Sequence, residues 1–162
     1  MGNVKLNINE SSLRNPSMSG GGGIITDVNG ELVAAFYRQY RIRSNSEAEA
    51  FALVNGLNLC KQLHPYEVEV KSDSKLICSR WQNDSEVISP MRDAWDQGKS
   101  FATQMVIHVH HAYSEVNQVV DGLAKIGAQE QPIDLLEIQD LPCEVKGLLR
   151  LGKLGLPYLH CR

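Results

Sequence analysis

The chain has 162 residues, 43% of them hydrophobic, and a formal net charge of −3, which suits one globular domain able to bury a core without disulfides or structural metal. That charge excludes strong binding of nucleic acid through bulk electrostatics, while leaving room for a local basic strip. No apolar run approaches the roughly 18 residues that span a bilayer, and Cys60, Cys78, Cys143 and Cys161 form no C-x-x-C pair.

The cysteines read as reduced thiols of an intracellular protein with no secretory segment in front of them, in nucleus or cytoplasm without distinction. Met1-Gly2 opens a myristoylation motif that Leu6 leaves incomplete. In chain order, VKLNIN (4–9) alternates Val4, Leu6 and Ile8 against Lys5, Asn7 and Asn9 and predicts a half-buried strand. Residues 11–23, rich in Ser, Gly, Asn and Pro, predict a loop closing on Gly20 to Gly23. GIITDV is a second strand, Asn29-Gly30 a two-residue hairpin turn, and ELVAAFYRQY a third strand.

A helix follows, capped by Ser44 or Ser46, with Glu49 three residues after Ser46 and a buried stripe of Ala50, Leu53, Val54, Leu57 and Cys60. His64-Pro65 ends it. EVEVKS is a fourth strand, and DSKLICSRW a short helix capped by Asp73 or Ser72. Pro90 starts another helix that runs to about Phe101, MVIHVHH is a fifth strand, and EVNQVVDGLAKIGA is a last helix with Val116, Val119, Val120 and Leu123 inward. The three opening strands run antiparallel, and strands four and five extend the sheet in parallel through right-handed crossovers. From residue 129 the pattern breaks: Pro132, Pro142, Pro157 and scattered glycines describe a tail over 129–162 that packs on the 1–128 domain or on a partner.

Three acids sit where the pattern expects apolar or neutral residues. Glu49 shares a helical row with Leu53, Gly56 and Cys60. Asp73 ends the fourth strand, and Asp121 lies beside the apolar stripe of the last helix. Asn9, an amide, ends the first strand. Strand ends and inward helical acids together collect oxygen ligands for hard cations such as Mg²⁺ or Mn²⁺. Two such ions about 3.5–4 Å apart activate water and stabilise the leaving oxygen of a phosphodiester. Taken singly, Glu49 can equally complete a capping box, Asp73 cap a helix, and Asp121 be a solvated helical acid.

The segments VKLNINESS, GGGIITDVNGELVAAF, SNSEAEAFALVNGLNL, VEVKSDSKLI and HAYSEVNQVVDGLAK resemble the type 1 ribonuclease H family, in its plant, retroelement-related branch, over roughly residues 3–128. The His, Glu-x-Asn, Asp-x-Leu-Ala pattern of the last segment is the most specific. The resemblance implies an α/β fold: a five-stranded mixed sheet of strand order 3-2-1-4-5, with helices on both faces. It implies that Glu49, Asp73 and Asp121 match three of four metal-binding acids, and that His111 matches a loop histidine aiding proton movement or product release. His108 and His110 share a strand face and have no counterpart in it. Asn45 matches a residue that touches the hybrid backbone, and Ser11, Ser12, Arg41 and Arg43 join it as candidate nucleic-acid contacts. The glycines at 20–23 suit close approach of a backbone.

The chain departs from that family where it matters most. Asn9-Glu10-Ser11 replaces Asp-Gly-Ser, so the position lying between both ions has lost a charge. Alternation along a strand sends Glu10 to the opposite face unless a bulge returns it. Ser114 stands where Arg is frequent, and no Lys-rich insertion lies between Trp81 and Trp95, so hybrid affinity should be modest and salt-sensitive. The favoured reading is an RNA–DNA hybrid-binding domain with lost or strongly reduced cleavage and weak or absent Mg²⁺ or Mn²⁺ binding. Its alternatives are an active ribonuclease H using two metals, and a protein-interaction module working through residues 130–162. No membrane partner is expected.

Overall fold

Alternation in VKLNINESSL gives β1 (Val4–Leu13) two unlike faces. Val4, Leu6 and Ile8 are buried on one, while Asn7, Asn9 and Ser11 lie on the other. The computed structural model describes residues 2–13, 18–41, 44–83, 91–112, 120–125 and 133–135. After β1 come β2 (Met18–Thr26), β3 (Leu32–Arg41), α1 (Asn45–Gln62), β4 (Glu67–Ser72), α2 (Lys75–Gln82), α3 (Arg92–Ser100), a 3₁₀ turn at Phe101–Thr103, β5 (Val106–His111) and β6 (Ile133–Leu135). Residues 120–125 are helical.

The sheet runs β5-β4-β1-β2-β3-β6. β1, β2 and β3 pair antiparallel, and β4 and β5 join β1 in parallel. The expected order 3-2-1-4-5 is thus present, and Ile133–Leu135, from the stretch read as a tail, adds a short antiparallel strand outside β3. The remaining tail, 136–162, lies outside the described residues, as do Ser114 and the last predicted helix on either side of 120–125. No described helix is long and apolar enough to cross a membrane.

The main core forms on the face that carries Leu6, Ile8, Ile25, Phe36 and Val70, covered by Leu53 and Leu57 of α1, Ile77 and Trp81 of α2, and Trp95 of α3. Full burial of each such aliphatic or aromatic side chain is worth about 1.5–3 kcal/mol, so this layer fixes α1 against β1. The helical residues 120–125 take the other face, where Val120, Leu123 and Ala124 are buried.

Several local expectations change. Gly20 to Gly23 are strand, not loop: Asn9 pairs with Gly22, Glu10 with Gly21 and Ser11 with Gly20. The reason is packing, since a Cβ at position 22 would stand 2.8 Å from Leu123 Cβ and 2.9 Å from the Ala124 nitrogen. The β2–β3 hairpin is wider than two residues. Asp27 N–H donates to the Glu31 carbonyl at 2.9 Å, Asp27 Oδ1 accepts from the N–H groups of Asn29 and Glu31, and Gly30 takes a φ of 79°. The third helix begins at Arg92, after Met91.

Gly22→Ala should destabilise the protein by about 1–3 kcal/mol, the usual range for overpacking, because the added methyl meets backbone as well as side chain. Gly2→Ala, with nothing within 4 Å of the added atom, should be neutral. Urea unfolding of both variants measures the difference.

Candidate functional site

Glu49 is set by how α1 begins. Ser44, not Ser46, is the N-cap, and Ser44 with Glu47 forms the capping box: Glu47 N–H donates to Ser44 Oγ at 3.2 Å and Ser44 N–H to Glu47 Oε1 at 3.4 Å. Glu47 therefore does the capping that the spacing also allowed for Glu49. Glu49 turns inward and is 1% exposed. Its Oε1 accepts a 2.5 Å hydrogen bond from Ser72 Oγ, while Oε2 is buried with no partner. Burial pushes the carboxyl up to about 7; the negative charges of Asp73 and Glu10 add to the rise, and the Ser72 hydroxyl and the Glu10 backbone oppose it.

Asn9 stands on the other face of β1, 6% exposed. Its Oδ1 accepts from Glu10 N–H at 2.9 Å, so its Nδ2 must point outward from that bond, and it donates to Asp121 Oδ1 at 3.5 Å. The second Asp121 oxygen pairs with Lys125 Nζ at 2.9 Å, one helical turn on. Both oxygens of this carboxylate are thus engaged by donors of the chain. The register of β1 with β2 is unbroken from Lys5 to Leu13, so no bulge carries Glu10 across the strand. Glu10 instead adds its charge to the surroundings of Glu49.

Asp73 follows β4 directly and is exposed. It does not cap α2: Ser74 is the N-cap and accepts from Ile77 N–H at 3.3 Å. His111 ends β5, exposed, in register with Ser72, at the same sheet end as Asp73. His108 and His110 take the opposite face, stacked at 6.2 Å, with His108 Nε2 2.8 Å from Glu67 Oε1. Ser11 is buried at 8% exposure, opposite Gly20, and Ser12 pairs with Ser19. Asn45, the first residue of α1, and Arg41, the last of β3, are exposed. Arg43 lies outside the described residues.

Ser72 is the residue that sequence reasoning missed. The alternation of EVEVKS already places it on the inward face with Val68 and Val70, and a hydroxyl at that depth needs a partner, which Glu49 supplies. Cys78 joins the same cluster. Burial first, then the Glu49 charge, push its thiol up to about 11, which keeps it an inert, protonated group.

Do these residues suit a pair of divalent ions? The orphaned Glu49 Oε2 is an available oxygen. Against it, Asp121 is already satisfied by Asn9 and Lys125, and among the described residues no three His, Cys, Asp or Glu side chains form a group able to hold an ion. The described residues, as placed, do not fit two ions.

A family model described as reverse transcriptase-like matches residues 8–127. An Arabidopsis thaliana protein whose name places it provisionally among ribonuclease H proteins is 25% identical over 156 residues, covering 96% of this chain and 25% of its own length. The chain thus spans about a quarter of that relative. Two solved structures share the fold. RNase H1 from the archaeon Halobacterium salinarum superposes with a TM-score of 0.70 at 21% identity, over 79% of this chain and 98% of its own. An RNase H1 isolated from compost, solved in complex with an RNA/DNA hybrid, gives 0.69 at 22% identity, over 78% and 96%.

Glu49 also sets a pH dependence. Its folded value of about 7 lies above the ordinary 4.5, so its stabilising contribution is complete below the ordinary value and is lost as pH rises through the folded one. Relative to wild type, Glu49→Gln should gain about 3 kcal/mol between about pH 4 and about pH 8. Denaturant unfolding across that range, in a chelator, reads the crossing of the two curves.

Proposed function

Because the chain belongs to the reverse transcriptase-like family, we propose that it is an RNase H-like domain that binds RNA–DNA hybrids and has lost most or all metal-dependent cleavage. Hybrid binding is supported by the shared fold, which an RNase H1 uses in complex with such a hybrid. Ser11, Ser12, Asn45, Arg41 and Arg43 are the contacts assigned to it, with shape and 2′-hydroxyls as the feature read.

Loss of cleavage is carried by one observation: the amide of Asn9 donates to Asp121. An aspartate there would set two carboxylates against each other, an arrangement that asks for a cation between them. The amide removes one charge and gives the other a donor, and Lys125 completes the balance. Asp121 then gains little from an ion. One observation favours some residual metal affinity, and with it a weakly active ribonuclease H: Glu49 Oε2 remains without a donor.

Two measurements test this. Hybrid cleavage in Mg²⁺ and in Mn²⁺ should be at least about 100-fold slower for wild type than for the variant carrying Asn9→Asp and Glu10→Gly, the scale on which a metal's charge stabilisation acts. Robust wild-type cleavage abolished by Asp73→Asn would overturn the reading. In a chelator, Asn9→Asp should lower stability by about 1–3 kcal/mol through unrelieved carboxylate repulsion, and Mn²⁺ should restore it in that variant alone.

A further inference from the structure

We propose that the end of β3 and the first turns of α1 form a pocket for one unstacked nucleobase, with Arg41 at its rim to meet the adjoining phosphate. The proposal rests on the hybrid-binding reading and extends it to single-stranded nucleic acid leaving a hybrid.

An open depression of about 230 Å³ is lined by Gln39, Tyr40, Arg41 and Phe51. It is smaller than the roughly 300 Å³ at which pockets for drug-sized ligands begin, so it suits a single planar ring system. Tyr40 and Phe51 build its aromatic wall, with centroids 5.5 Å apart and planes tilted by 32°.

The Tyr40 ring is held at its hydroxyl end. Its hydroxyl donates to Asn55 Oδ1 at 2.5 Å, and its Cε2 occupies the space of the side chain that Gly21 lacks, 2.5 Å from where a Cβ would stand. A stacking surface fixed before the ligand arrives loses little freedom on binding, and base–aromatic stacking accepts every base.

The polar groups suit the same ligand. Gln39 lines the depression beside the two rings. Arg41 is exposed and takes a φ of 60°, a left-handed conformation unfavourable for a residue with a side chain, and it turns the backbone at the rim.

Position connects the pocket to the candidate cleft. Gln39 pairs with Gly20, and Gly20 with Ser11, so the pocket lies two strands from β1, level with Ser11 and two residues beyond Asn9. At the usual spacing between strands that is about 10 Å, within reach of a nucleotide following on from a hybrid seated over β1.

The test compares a blunt RNA–DNA hybrid with the same hybrid carrying a short single-stranded overhang that contains 2-aminopurine. Anisotropy at low salt gives affinity, and 2-aminopurine quenching reports stacking. The overhang should bind about ten-fold tighter with quenching. Phe51→Leu and, separately, Gln39→Ala should remove most of that gain while leaving blunt-hybrid affinity unchanged, with thermal unfolding confirming that both variants fold. Equal binding of the two probes without quenching overturns the pocket and leaves hybrid binding standing. Quenched overhang binding that the variants lose, with no blunt binding, supports the pocket and overturns the hybrid reading. Binding of neither probe overturns both.

Discussion

Everything at the candidate site depends on how closely residues 120–125 approach β2. Leu123 and Ala124 lie where a side chain of residue 22 would be, and Gly22 is the strand partner of Asn9. That absent methyl brings the helical segment onto the sheet beside β1. Asp121 can therefore reach an amide 112 residues earlier in the chain. The glycine run is thus a packing device before it is anything else. β2, short of side chains over 20–23, is held by its ladder hydrogen bonds to β1 and β3 and by what lies on it.

The site has two electrostatic halves, divided by β1. On the α1 face, Glu49 is buried beside the charges of Glu10 and Asp73 and relieves the conflict by holding its proton to about pH 7. On the other face, Asp121 lies among donors, with Asn9 and Lys125 each taking an oxygen. One carboxyl holds a proton, and the other has the Lys125 ammonium and the Asn9 amide beside it. Both are ways of living with acids gathered close together. β1 thus carries a charge toward Glu49, from Glu10, and an uncharged amide toward Asp121, from Asn9.

What could be read in advance follows the physics of side-chain patterns. Alternation located β1 and β4, and the row of Glu49 with Leu53, Gly56 and Cys60 correctly pointed that acid inward. The same logic was silent at Gly20 to Gly23, because period two is carried by side chains and glycine has none. The sequence contains two overlapping capping boxes, Ser44 with Glu47 and Ser46 with Glu49, and local spacing cannot choose between them. Burial of Glu49 against Ser72 decides it. That position 9 carries an amide among acids was legible. Its role as a donor to Asp121 was not, because the acceptor is brought in by tertiary packing. β6 has three residues, too few to show a period.

That small strand has a consequence for handling the protein. The family-like pattern ends near residue 128, which makes a cut there look natural. Ile133–Leu135, however, pair with Ala35, Phe36 and Tyr37 in the middle of β3. Without them β3 loses its pairing at Ala35, Phe36 and Tyr37, a stretch of edge then open to any other extended chain. Shortened forms would be expected to self-associate edge to edge, and turbidity in such a preparation would reflect the lost cover over β3, not a failure of the core.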